Sequence, residues 1–500
     1  MNKDLINTIR HAGIFSILIL VNRGVSFIML PIYTRFLTPA DYGILELIEM
    51  TVDIISVIAG MGILSGLFKF YYQFKEEHDK KELVSTMFIM VIIFYFVACF
   101  LGGMSSSFLS SLIFRTEKYT SYITIAFINL FLQSTLCFVP LVYLRAQQRS
   151  SFFVVVSSIK LIVQITLNIL FVVYLEMGVM GVLYSSMISS LGIGLSMTTY
   201  TFSRIGFQLS KDKAKMLFNF GYPFVFSSLA TFILTFSDRY FLNHYFELSV
   251  VGIYSLAYKF GFLLASFPIA PIMNIWMVQR FEIINKDGYE KIYNQFFSWF
   301  CIISLSAALL ISMAVRDVIR VMSAPSFWDA YKIVPIIVLA YFFQPCTDFF
   351  NFGIYHTGKT KHIAYSNLFS SIVIIALSFL LIPRYGALGA AWATLISFTV
   401  RLLYVYIISQ KLFKIQYALG RPIGTLIISI AVYLGYHGIV SFPLFDKLFL
   451  SSAMTMFLLL VFFVLLFSFN IIKTEEKRSI MNSLRSPVKS LMEIRNQLAS

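Results

Sequence analysis

The chain has 500 residues, of which 58% are hydrophobic and 13% charged, with a mean hydropathy of +0.81. A soluble domain carries about twice that share of charge on a less apolar background, which excludes an ordinary soluble protein. The net charge of +15 is read as membrane topology and attraction to anionic lipid, since no nucleic-acid-binding module accompanies it.

Fifty-three Phe residues and Leu/Ile-rich runs of helix length predict an all-α polytopic membrane protein; a β-barrel would show short alternating strands instead. The first apolar run, residues 14–32, contains Asn22 and Arg23 and no small-residue cleavage site, so it reads as an uncleaved span. Later runs bring the expectation to about fourteen spans, starting near residues 11, 43, 83, 121, 152, 178, 217, 251, 292, 332, 363, 387, 423 and 448. Cys99, Cys137, Cys301 and Cys346 lie in apolar runs without metal or redox spacing and read as small core hydrophobes. Beyond Asn470 the chain is basic, and Ile480, Leu484, Val488, Leu491 and Leu498 share one helical face interrupted by Pro487: an interfacial helix or a frayed tail.

A repeat runs through these spans. Gly13 matches Gly221 and Gly181 matches Gly389 at one offset, Gly43 matches Gly252 one residue further on, and "MGVMGVLYSSMIS" (177–189) aligns with "YGALGAAWATLIS" (385–397). An even number of spans per copy makes these parallel repeats about an axis along the membrane normal. The expected organisation is an N-terminal six-helix lobe (1–210), a C-terminal six-helix lobe (211–415), both facing a central cavity, two additional transmembrane helices (416–472) and a basic cytoplasmic tail (473–500). About two-thirds of the 39 Lys and Arg fall in alternate segments beginning with the N-terminus, which places both termini in the cytoplasm. Arg239 is among the few assigned to the opposite side.

Ionisable residues within spans mark pathways or substrate sites. Glu46, Glu49 and Asp53 share one helix face, with Asp53 nearest the bilayer middle. Arg23, central in the preceding span, either pairs with that trio or lines the cavity. Lys160, Lys259 and Arg401 either snorkel to an interface or face substrate, and Asp348 has no obvious partner. Enzyme signatures such as a P-loop or a metal-spaced cluster are not found, the loops are short, and no cofactor is expected.

At "LPIYTRFLTPADYGILEL" (30–47) the chain resembles the polysaccharide flippases, the lipid-linked oligosaccharide branch of the multidrug, oligosaccharidyl-lipid and polysaccharide exporter superfamily. "GLFKFYYQFKEE" (66–77), "YLRAQQRSSFF" (143–153), "FGYPFVFSSLATFILTFSDRYFL" (220–242) and "VGIYSLAYKF" (251–260) continue the likeness in order. Lys69 departs from it, standing where the family tends to place Arg, so the charge is kept without the guanidinium fork. The resemblance implies a transporter that moves an undecaprenyl-diphosphate-linked oligosaccharide repeat unit (O-antigen, capsule or exopolysaccharide) to the outer leaflet of a bacterial inner membrane by alternating access. Its implied partners are that lipid, the surrounding membrane lipids and a polysaccharide polymerase machinery. Arg23, Lys160, Lys259 and Arg401 would then hold the diphosphate, and Asp53, Glu49 and Asp348 would be the ion-coupling candidates. A drug or cation antiporter of the same superfamily, which would line its cavity with acids and typically has twelve spans, and a peptidoglycan-precursor flippase are the alternatives.

The charge distribution makes a direct prediction. Cysteines placed at Thr38 and Ser326 should be labelled by an impermeant thiol reagent from outside, and cysteines at Lys80 and Gln410 only from inside; outside labelling at Lys80 would invert the topology.

Overall fold

The computed structural model describes residues 27, 29–284, 286–440, 442 and 448–472, and among them every regular element is a helix. In chain order these are α1 (Leu30–Phe36), α2 (Pro39–Gly60), α3 (Ile63–Tyr71), α4 (Glu77–Met104), α5 (Ser106–Phe114), α6 (Glu117–Ala146), α7 (Ser150–Tyr174), α8 (Gly178–Ile205), α9 (Lys211–Tyr245), α10 (Leu248–Ile283), α11 (Tyr289–Met322), α12 (Val334–His356), α13 (Lys361–Leu412), α14 (Gly420–Val440) and α15 (Leu448–Ser468). Ten of these helices are long and apolar enough to cross a membrane, or up to twelve if each of two bent pairs counts as one span. Most of the first expected span, with Arg23, and the whole basic tail lie outside the described residues. Several helices begin up to six residues before the apolar runs, because polar first turns such as Glu77–Glu82 belong to the helix although they add no hydropathy.

Local chemistry explains the motif that opens the described chain. Thr38 caps α2: its hydroxyl accepts from the Asp41 amide at 3.2 Å, and the Asp41 carboxylate accepts from the Thr38 amide at 3.1 Å, with Pro39 at the first helical position. Helix α2 then runs to Gly60 and breaks: Met61 and Gly62 both take positive φ, and α3 leaves at 44°. The 52 residues of α13 would extend about 78 Å as one rod, more than twice a hydrocarbon core. The element is divided at Gly386, whose φ of 55° and ψ of −132° are not helical. Its repeat partner Gly178, at the start of α8, has φ 57°; the φ and ψ of Gly386 fall in a region that a Cβ penalises.

One packed core draws on residues between Leu37 and Leu217, and a second mainly on Leu242 to Ile415. The pair α14 and α15 packs on α11 through Val432, Phe462 and Leu466. The first and second halves of the chain meet where α2 crosses α10. There Gly43 and Gly252 lie backbone to backbone: a Cβ on Gly43 would strike the Leu248 carbonyl, and one on Gly252 would strike the carbonyl of Pro39. A second crossing sets Gly62 against the backbone of Gly221 in α9. Small residues at such crossings let helices approach closely enough for van der Waals contact to hold them in lipid.

Gly252→Ala should therefore destabilise the protein by about 1–3 kcal/mol, the range for overpacking a close contact. Gly192→Ala on α8, whose added methyl meets nothing within 4 Å, should leave the melting temperature in detergent unchanged or higher. Equal behaviour of the two variants would remove the crossing from its structural role.

Candidate functional site

Three adjoining chambers of about 470, 410 and 350 Å³ meet at Ser56 of α2. The largest is enclosed by α2, α6, α7 and α8, with Lys259 reaching in from α10. The second lies between α2 and a stripe of hydroxyls on α9, Ser227, Ser228, Thr231 and Thr235. The third, at the bend between α2 and α3, is bordered by Ser65, Phe68, Phe224 and Arg145. Polar side chains at this density inside membrane-spanning helices are tolerated where they face a water-filled space or one another.

The acidic trio expected on one face of α2 is there. Glu46, Glu49 and Asp53 all line the large chamber, and Asp53 also borders the second. Glu46 is 8% exposed and pairs with Lys259, Nζ to Oε1 2.7 Å, linking α2 to α10 across the two halves of the chain. Glu49 and Asp53 have no ion-pair partner among the described residues and are accessible from the cavity. The outcome for Lys259 is thus a cavity position rather than a snorkelling one.

The remaining expected cations are placed differently. Lys160 does not border these chambers; its charge lies within electrostatic reach of Cys137. Arg401 stands with Asp348 in the second half of the chain, away from the chambers. Asp348, for which the sequence offered no partner, faces the charges of both Arg401 and Arg280, and Asn351 bridges the group by donating to the Asp348 carboxylate and accepting from Arg280. This corrects the expectation that Arg23, Lys160, Lys259 and Arg401 converge on one anion: of the three described, Lys259 alone reaches the cavity. Helix phase is the physical reason, because depth in the membrane can be read along the chain but the direction of a side chain around its helix depends on the neighbours.

Other groups are visible only in the structure. Arg145, one of the loop charges by sequence, stacks on Phe153 with its guanidinium carbon 4.4 Å from the ring centroid, borders the third chamber, and has an Nε without a partner among the described residues. Arg239, assigned by sequence to the outer loops, is 1% exposed. It pairs with Asp238 at 3.0 Å, and the other Asp238 oxygen accepts from Tyr254, Tyr258 and Thr394, so this buried charge is countered inside the core. Four amides, Asn129 and Gln133 on α6 and Gln164 and Asn168 on α7, line the large chamber. The signal for them was present as two i, i+4 pairs in otherwise apolar runs.

Polar contacts also join the two halves near the ends of the helices. At the Thr38 end, Arg35 donates to the Val321 carbonyl at 3.1 Å and Arg115 to that of His244 at 2.7 Å. At the opposite end, Lys213 pairs with Asp79 at 2.8 Å and with Glu82.

Residues 9–277 match the family described as Polysaccharide biosynthesis protein. The chain belongs to that family. Its fold is that of two solved transporters. The lipid II flippase MurJ in an inward closed conformation superposes with a TM-score of 0.74 at 14% identity, covering 91% of this chain and 99% of that one. An inward-facing multidrug resistance MATE family transporter of the MOP superfamily gives 0.62 at 14%, covering 79% and 97%. A search of curated protein sequences finds no match. The chain is therefore a multi-pass membrane protein of the polysaccharide biosynthesis protein family with a MurJ and MATE-like fold.

The inter-half ion pair yields a quantitative test. Glu46→Gln should cost about 1–2 kcal/mol of stability, the buried-pair penalty discounted because the Lys259 side chain is 35% exposed. Adding Lys259→Met should recover part of that loss, whereas Asp53→Asn should leave the melting temperature unchanged.

Proposed function

We propose that this chain is a flippase for a polyprenyl-diphosphate-linked oligosaccharide used in surface polysaccharide synthesis, working by alternating access in a bacterial inner membrane with both termini cytoplasmic. The observation that carries the reading is the set of adjoining polar chambers around α2, reached from the second half by Lys259 and α9, together with family membership. A lipid-linked oligosaccharide has a hydrophilic head that hydrocarbon excludes and an apolar tail that needs no protein cover. A head-sized polar chamber flanked by apolar helices answers both requirements.

In this reading the lobes 1–210 and 211–415 rock about the glycine crossings. The contacts of Arg35 and Arg115 hold one end shut and those of Lys213 the other, and each set breaks in turn. Arg145 is the described cation available to a diphosphate, Lys259 being engaged by Glu46; Arg23 remains a candidate outside the described residues. Glu49 and Asp53 are the coupling candidates, because an unpaired carboxylate accessible from the cavity can exchange a proton or bind a cation as access alternates. Asp348 leaves that role, being matched by Arg401 and Arg280.

A second reading has an observation in its favour. The large chamber carries three carboxylates against one ammonium, the excess expected of a cavity that takes cationic drugs. Against it stands the appended pair α14 and α15, and the smaller share of this chain that the MATE fold covers.

Reconstitution separates the two. In proteoliposomes, undecaprenyl-diphosphate-linked oligosaccharide should become accessible to an external glycan-cleaving enzyme in a protein-dependent way, while a lipophilic cationic dye stays put. Arg145→Ala should slow the movement about tenfold, and Asp53→Asn should abolish its dependence on an imposed ion gradient. Dye export without lipid movement would establish the antiporter instead.

A further inference from the structure

The large chamber has a side whose chemistry does not suit a diphosphate. Asn168 on α7 is 2% exposed, and its carbonyl oxygen has no hydrogen-bond partner among the described residues; the same holds for the carbonyl oxygen of Asn129 on α6. Both residues line the chamber, as do Gln133 and Gln164 one turn away on the same helices. A buried amide acceptor without a partner costs about 1–3 kcal/mol, so two of them on facing helices of one cavity mark a place where a donor is to be received.

The backbone is also irregular here. Helix α6 widens into a π-helical stretch at Leu132–Phe138, three residues after Asn129, and α7 does so at Ile169–Tyr174, immediately after Asn168. Such stretches re-aim side chains and occur often at functional sites. Across the same chamber stand Glu49 and Asp53, carboxylates without an ion-pair partner among the described residues, which accept hydrogen bonds and repel anions.

We propose that this wall is a glycan subsite: Asn129 and Asn168 accept hydrogen bonds from sugar hydroxyls or acetamido N–H groups, Glu49 and Asp53 accept from further hydroxyls, and the carboxylates keep the diphosphate out. The inference rests on the flippase reading and deepens it, because it orients the substrate. The uncharged sugar enters the amide and carboxylate chamber, and the diphosphate stays with Arg145 in the chamber at the α2–α3 bend. Acceptors outnumber cations on this wall, which suits a polyhydroxylated head and suits a bare polyprenyl diphosphate poorly.

The test compares two probes on the full-length chain in nanodiscs, undecaprenyl diphosphate and undecaprenyl-diphosphate N-acetylglucosamine. The wild type should bind the glycosylated lipid about tenfold more tightly, the value of two modest hydrogen bonds. Asn129→Leu/Asn168→Leu should lose that advantage, keep its affinity for the bare lipid, and melt no lower than wild type, since no protein hydrogen bond is removed. Should the leucine pair fail to fold, Asn168→Ser carries the same comparison. Equal binding of both lipids by the wild type, or an equal loss of both in the variant, would overturn the subsite while leaving the flippase reading in place. A wild type that binds neither lipid would overturn both.

Discussion

The crossing of α2 and α10 at Gly43 and Gly252 is the contact on which the rest depends. Without side chains at these positions the two backbones touch, and the residues one and two turns further on are brought within reach of each other: Glu46 is three residues past Gly43, and Lys259 seven past Gly252. A methyl group at either glycine would push the helices apart and stretch the 2.7 Å pair. The large chamber lies on the other side of α2, against α6, α7 and α8, and Lys259 reaches into it from the crossing. The same glycine contact thus sets the inter-half ion pair and brings a cation of the second half to the chamber.

Charge in this structure follows a rule that depth alone does not express. A charged group near the middle of a span costs about 2.5–3.5 kcal/mol on insertion scales, and the chain recovers this in two ways. In the second half, Asp238 pairs with Arg239, and Asp348 faces the charges of Arg401 and Arg280. In the first half, Glu49 and Asp53 have no ion-pair partner among the described residues and face the cavity. Matched groups hold a fold, whereas unmatched groups remain free to interact with whatever enters.

Composition and periodicity were sufficient for the helical class and for most span positions, because hydropathy along a helix is a one-dimensional property. They were sufficient too for Glu46, Glu49 and Asp53, whose shared face is a matter of spacing on one helix. They were insufficient for Arg401, Lys160 and Arg239, where the question is which neighbour a side chain meets. The amides Asn129, Gln133, Gln164 and Asn168 were legible as two spaced pairs, yet an uncharged residue in an apolar run draws less attention than a charge. Arg145 was obscured by its place at a helix end, where a basic residue is ordinarily a topology signal.

The repeat gives these differences a common form. At the offset relating Gly43 to Gly252, Glu49 corresponds to Tyr258 and Asp53 to Phe262; at the offset relating Gly181 to Gly389, Asn129, Gln133, Gln164 and Asn168 correspond to Ile337, Tyr341, Ile372 and Ala376. Tyr258 and Phe262 pack on Tyr341, with ring centroids 5.8 and 5.2 Å away. Three of the positions that line the cavity in one half, those of Glu49, Asn129 and Gln133, are therefore buried apolar or aromatic residues, Tyr258, Ile337 and Tyr341, in the other. Both halves retain the glycines that shape the helices, Gly178 and Gly386 at positive φ and Gly181 and Gly389 against the backbone of the preceding helix. What has diverged is the wall: one copy keeps polar side chains facing an open space, and its counterpart sets the rings of Tyr258 and Phe262 against Tyr341.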